Sequence, residues 1–117
     1  MRNLYMFEDF RAEKFFEDKD LLCVECGELL DHNDNSRVLG TVVYAVIVND
    51  RTDYNGKPSN RFEKLKIKVF DKNLKIPKDC YIKLFNPSCK IFGDYRNQLS
   101  TTAEDIIVLD GKIDEDI

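Results

Sequence analysis

The run Phe62-Glu63-Lys64-Leu65-Lys66-Ile67-Lys68-Val69-Phe70 constrains this chain more than any other stretch. Its apolar residues recur at every second position. That period marks a strand with one face in a core and the other in water. Leu65, Ile67 and Val69 turn inward. Phe62, Lys64, Lys66, Lys68 and Phe70 share the opposite side. Similar runs surround it. Residues 21–30 read as a strand with Gly27 as a candidate bulge. Residues 40–48 hold four valines and are apolar at both alternation positions, which predicts a strand covered on both faces. Residues 80–85, 89–92 and 103–109 supply further strands. Turn-forming residues separate them: Asp31 to Ser36, Asn55-Gly56, and Asn86-Pro87-Ser88.

Residues 4–16 mix Leu4, Phe7, Phe10, Phe15 and Phe16 with acids and suit a short amphipathic helix or an irregular arm. Five or six strands in 117 residues predict one all-β domain. A five-stranded OB-fold barrel is the expected architecture, with a small sandwich as the other natural solution. The expected organisation is an N-terminal arm over 1–20, the barrel over 21–110 and an acidic C-terminal tail over 111–117.

No run approaches the roughly 20 apolar residues that span a bilayer. The first residues meet Glu8 and Asp9 too soon for a secretory signal. The expectation is a cytoplasmic protein, free of the membrane, with its four cysteines reduced.

The net charge of −4 argues at first against a polyanionic partner, but its distribution reverses that. Residues 1–36 carry 4 basic and 10 acidic side chains, residues 37–98 carry 13 and 6, and residues 99–117 carry 1 and 6. A basic centre lies between acidic ends, and an approaching polyanion feels the local field.

Ring and cation alternate on the outward side of three segments. These are Phe62, Lys64, Lys66 and Lys68; then Tyr81, Lys83 and Phe85; then Lys90 and Phe92. The loop before the first adds Tyr54, Lys57 and Arg61, and the loop after the last adds Tyr95 and Arg96. Ammonium and guanidinium groups track phosphates. Rings stack on unpaired bases at about 1–3 kcal/mol each, with little regard to sequence. The plainer reading folds the rings over the barrel ends and leaves the lysines merely solvated. Duplex DNA fits less well, since no helix carries a clustered basic face.

Other chemistry is thinner. Cys23-Val24-Glu25-Cys26 has the spacing of a zinc knuckle, with His32 nearby. Cys80 and Cys89 form no second close pair, and alternation puts Cys23 and Cys26 on opposite faces of a strand. No metal or other cofactor is expected. Asp31, Asp34, Asp50 and Asp53 are the candidates for a divalent-metal nuclease site, though such residues commonly form turns. The expectation is a binding protein and not an enzyme. The alternatives are a protein–protein adaptor or, further off, that nuclease.

The order of elements resembles the bacterial-type single-stranded-DNA-binding proteins over residues 21–109. The first strand ends in Gly27 and a polar turn, the second leads to a long basic hairpin ending at Arg61, and the third bears exposed rings and lysines. A lysine-containing turn, Pro77-Lys78-Asp79, opens the next strand, and a second long loop precedes the closing one. The chain departs from that family in lacking tryptophan, in shortening the helix after the third strand to residues 71–75, and in lacking a Gly/Pro-rich linker before the acidic end. It looks like a compact phage or mobile-element version. The resemblance implies a homodimer or homotetramer, no cofactor, and replication or recombination proteins as partners through the acidic tail. The last third, through Leu84-Phe85-Asn86-Pro87 and Ala103-Glu104-Asp105-Ile106, is also similar to the YdcP-like proteins of conjugative elements.

Overall fold

The computed structural model describes residues 2, 11–93 and 98–109. One short helix, α1 (Ala12–Glu17), precedes seven strands: β1 (Lys19–Leu30), β2 (Val38–Asp50), β3 (Lys64–Val69), β4 (Cys80–Phe85), β5 (Ser88–Phe92), β6 (Gln98–Thr102) and β7 (Asp105–Val108). They form one mixed sheet in the order β5-β6-β3-β2-β1-β4-β7. All pairings are antiparallel except β3 with β6. The all-β expectation therefore stands, and the described residues form seven strands in a single sheet. The helical stub expected over 71–75 is absent. Those residues form a turn in which the Asp71 carboxylate accepts the Asn73 N–H at 2.9 Å.

Period two builds the core as the alternation requires. Val43, Ala45 and Ile47 of β2 meet Leu65, Ile67 and Val69 of β3 on the inner face, joined by Leu21, Ile82, Leu84 and Ile106. Each of these valine, leucine and isoleucine side chains contributes roughly 1.5–3 kcal/mol on leaving water. The outward side of β2 is only partly covered: Val42 is buried and Tyr44 exposed. Gly40 permits a close crossing, because a Cβ there would stand 2.1 Å from the Val69 carbonyl oxygen.

β1 carries a bulge, but not at Gly27. The register slips at Val24, so that Cys23 faces Ala45 and Glu25 faces Tyr44. That one extra residue turns Cys26 to the same side as Cys23.

β4 and β5 are parted only by Asn86 and Pro87, and β6 and β7 only by Ala103 and Glu104. Asn86 lies in the left-handed region at φ 49° and Pro87 has no N–H to give. The two breaks face each other: the Glu104 N–H donates to the Phe85 carbonyl at 3.0 Å, and the Asn86 amide to the Glu104 carboxylate at 2.9 Å. One bent hairpin thus lies with its β6 half against β3 and its β4 half against β1.

Helix α1 is too short to stand alone. It is held by Phe15, which is fully buried against Tyr54 with Phe16, Ile91 and Leu99 packed around. Among the described residues no helix is long and apolar enough to cross a membrane.

Candidate nucleic-acid interface

The β2–β3 register lines up the outward residues. Lys64, Lys66 and Lys68 stand directly opposite Val46, Tyr44 and Val42, and direct partners in an antiparallel pair project to the same side. Tyr44 is 40% exposed and faces Lys66. On the far side of Tyr44, β1 offers Glu25 and then Gly27 opposite Val42. A Cβ at Gly27 would lie 3.7 Å from Tyr44 Cε2, so this glycine adds no side chain beside the tyrosine ring. On the other flank, Thr102 adjoins Lys68 and Ser88 adjoins Thr102, while Ser100 faces Lys90 and Gln98 faces Phe92. The outward face of β5, β6, β3 and β2 is thus a field of hydroxyls and ammonium groups with Tyr44 set into it. None of Lys64, Lys66, Lys68, Lys83 and Lys90 forms an ion pair with any described residue.

The sequence missed Tyr44, hidden inside a valine-rich run. Its signal was the break that a polar-tipped ring makes in an otherwise aliphatic series.

The expected adjacency of three ring-and-cation strands is corrected by the strand order. Two strands, β2 and β1, separate Lys83 and Phe85 on β4 from the lysines of β3, and β6 separates Lys90 and Phe92 on β5 from them. Phe85 and Phe92 are about half exposed, with relative exposures of 50% and 48%. Phe85 lines a cleft of about 600 Å³ with Phe16, Pro87, Ile107 and Leu109, and Glu13 and Glu17 lie at the same cleft.

Two expected stacking residues are buried and cannot meet a base. Tyr54 is 3% exposed and Tyr81 8%. Tyr81 lies opposite Leu22. The Tyr54 hydroxyl donates to Asp50 Oδ2 at 2.8 Å and accepts from the Asn60 amide at 3.0 Å. Burial, then that bond to Asp50, pushes its phenol well above the ordinary value. Tyr95 and Arg96 lie outside the described residues.

Lys57, Arg61 and Phe62 are exposed. The Arg61 guanidinium sits 4.5 Å from the Phe62 ring centroid, and its Nε donates to the Val48 carbonyl at 3.0 Å.

Beneath this loop lies a buried polar cluster. Lys19 Nζ stands 3.3 Å from Asp50 Oδ1, both side chains fully enclosed. Lys19 also donates to the Phe15 carbonyl at 2.8 Å and lies 3.9 Å from the Phe15 ring centroid. Burial lowers the Lys19 pKa against the attraction of Asp50. Asp50 loses hydration too, yet the Asn60 N–H, the Tyr54 hydroxyl and Lys19 outweigh that and keep it below the usual carboxylate range.

The remaining candidates do not converge. Asp31 accepts the Asn33 N–H and lies 3.7 Å from Arg37, Asp34 accepts the Ser36 N–H, and Asp53 accepts the Asn55 N–H. Each is a local turn former, and Asp50 belongs to the buried cluster. Cys23 Sγ and Cys26 Sγ lie 3.9 Å apart, and Cys80 sits opposite Cys23. Burial and the neighbouring Cys26 push the Cys23 thiol up to about 12, and burial raises Cys80 as well. All four cysteines are free thiols. Among the described residues no group of three or more His, Cys, Asp or Glu side chains is placed to hold a metal ion. Comparison with known protein families, curated proteins and solved structures finds no match to this chain.

Proposed function

We propose that this protein binds single-stranded DNA, largely irrespective of sequence, across the outward face of β2 and β3. The observation that carries the reading is the row Lys64, Lys66, Lys68. These are three outward ammonium groups with no acidic partner among the described residues, the middle one directly across from the exposed ring of Tyr44. A solvated sheet gains nothing from three like charges on one strand, whereas a phosphate backbone neutralises them and releases its counterions. Tyr44 supplies a stacking surface beside them, with Arg61 and Phe62 immediately before the strand.

The pairing supports a five-stranded OB-type barrel. If β4 with β5 is one bent strand, and β6 with β7 another, the seven strands reduce to five. The order then runs β1, β2, β3, the second bent strand, the first bent strand and back to β1, with every neighbour paired. OB barrels characteristically engage oligonucleotides on the face of their second and third strands, where the lysine row lies. The β7 half of its bent strand pairs with β4 alone, and its exposed Ile107 and Val108 support self-association through that local edge.

The adaptor reading draws on the cleft around Phe85, of mixed apolar and charged lining and separate from the lysine row. Electrophoretic shift with single-stranded and duplex oligonucleotides, with and without EDTA, separates the readings. Single-strand DNA binding gives a shift of poly-dT that EDTA leaves intact. An adaptor gives no shift, and a nuclease gives cleavage that EDTA stops.

A further inference from the structure

Phe62 has φ 71°. There a bulky side chain crowds its own backbone, and glycine or asparagine is the ordinary occupant. The other described non-glycine residues with positive φ are Asn55, Asp79 and Asn86, all of the tolerant kind. Burial does not explain the exception, because Phe62 is 64% exposed. Its backbone is nevertheless firmly held. The Phe62 N–H donates to the Ile47 carbonyl at 2.6 Å, the Ile47 N–H to the Glu63 carbonyl at 3.0 Å, and the Glu63 N–H to the Asn60 carbonyl at 3.1 Å. Asn60 is completely buried and fixed in turn by Asp50 and Tyr54.

A strained, exposed aromatic anchored by a buried network is a feature that folding alone does not call for, and such strain collects where ligands are gripped. The Arg61 guanidinium backs one side of the ring at 4.5 Å from its centroid, too close for a base to enter between them. A base therefore stacks on the opposite side. We infer that Phe62 is a pre-positioned stacking platform for one unpaired base. The cluster of Asp50, Tyr54 and Asn60 holds it in its strained backbone, and Arg61 backs the ring while its outer nitrogens meet the adjoining phosphate. For its ligand this rests on the single-strand reading above; the strain is independent of it.

The test is a series at one position, Phe62→Gly, Phe62→Asn, Phe62→Tyr and Phe62→Trp. Each variant is assayed for melting temperature and for anisotropy of a labelled dT oligonucleotide. Glycine and asparagine relieve the backbone, so those variants melt higher than the parent. They lose the ring, so they bind about 5- to 150-fold more weakly, the range for one stacked base. Tyrosine and tryptophan keep the parent's affinity. A residue with only a structural role moves stability and binding together; a platform moves them in opposite directions. If Phe62→Gly melts below the parent, the strain is not there and the inference is overturned. If the parent binds and Phe62→Gly binds equally well, the platform is wrong while the single-strand reading stands. If the parent itself does not bind, that reading fails and the platform loses its ligand.

Discussion

Lys19 and Lys66 are the same side chain in opposite circumstances, as are Tyr54 and Tyr44. Lys19 and Tyr54 sit in a buried cluster where carboxylate, amide and carbonyl groups satisfy them. Among the described residues no buried side-chain nitrogen or oxygen lacks a hydrogen-bond partner. Lys66 and Tyr44 face each other across β2 and β3 in the open. The contrast teaches that residue type does not assign a role in this fold. Enclosure and partners do, and they divide the described cations and rings into a set that holds the loop and a set that faces outward.

The division has consequences for stability and for binding that do not overlap. The largest is expected inside. Asp50→Ala leaves Lys19 enclosed without its counter-ion and removes an acceptor from Asn60 and Tyr54. Urea unfolding is expected to show a loss of about 3–5 kcal/mol. A loss under 1 kcal/mol would mean that water reaches the cluster.

The next effect is outside and concerns binding alone. Lys66→Glu with Lys68→Glu is expected to abolish retention of poly-dT, while the melting temperature moves by no more than an exposed substitution does. Unchanged binding by the folded double variant would remove the lysine row from the account.

The two tyrosines give the sharpest contrast. Tyr44→Ala is expected to cost about 1–3 kcal/mol of oligonucleotide affinity, the value of one stacked base. Tyr54→Phe strips a hydroxyl that serves Asp50 and Asn60 and is expected to cost about 1–3 kcal/mol of stability, with less effect on binding than Tyr44→Ala. Reversed roles would break the comparison.

The smallest effect is in acid. Asp20 is held below the ordinary aspartate value of 3.8 chiefly by its hydrogen bonds from Arg51, and Asp50 is held below it as well. With folded pKa values depressed, the unfolded chain takes up protons first. The stabilisation is complete above about pH 4–5 and fades as the pH falls through the folded values. Thermal melts between pH 6 and pH 2.5 check the sign: the melting temperature falls with pH in this window.

Much of the fold was legible because alternation is local. Residues 62–70 turn Leu65, Ile67 and Val69 inward, and Lys64, Lys66 and Lys68 keep the side their spacing assigned. What alternation does not carry is which strand lies beside which. β3 pairs with β2 and β6, not with β4, so rings and cations that looked contiguous in sequence are separated by two strands. The burial of Tyr54 is not legible because its loop is polar, and a polar loop signals exposure unless its acids and amides close on a buried lysine from far up the chain. Gly27 draws a bulge by its backbone freedom, whereas cross-strand register places the bulge at Val24. Tyr95 and Arg96 lie outside the described residues.

On the proposed reading, a nucleic-acid backbone neutralises the ammonium row of β3. Titrating a labelled dT oligonucleotide against the protein over a range of salt concentrations tests it directly. Log affinity is expected to fall linearly with log salt, with a slope of at least about −2 for three phosphate contacts near −0.7 each, and with a slope shallower by about 0.7 in Lys66→Ala. No binding at low salt, or binding indifferent to salt, would contradict it.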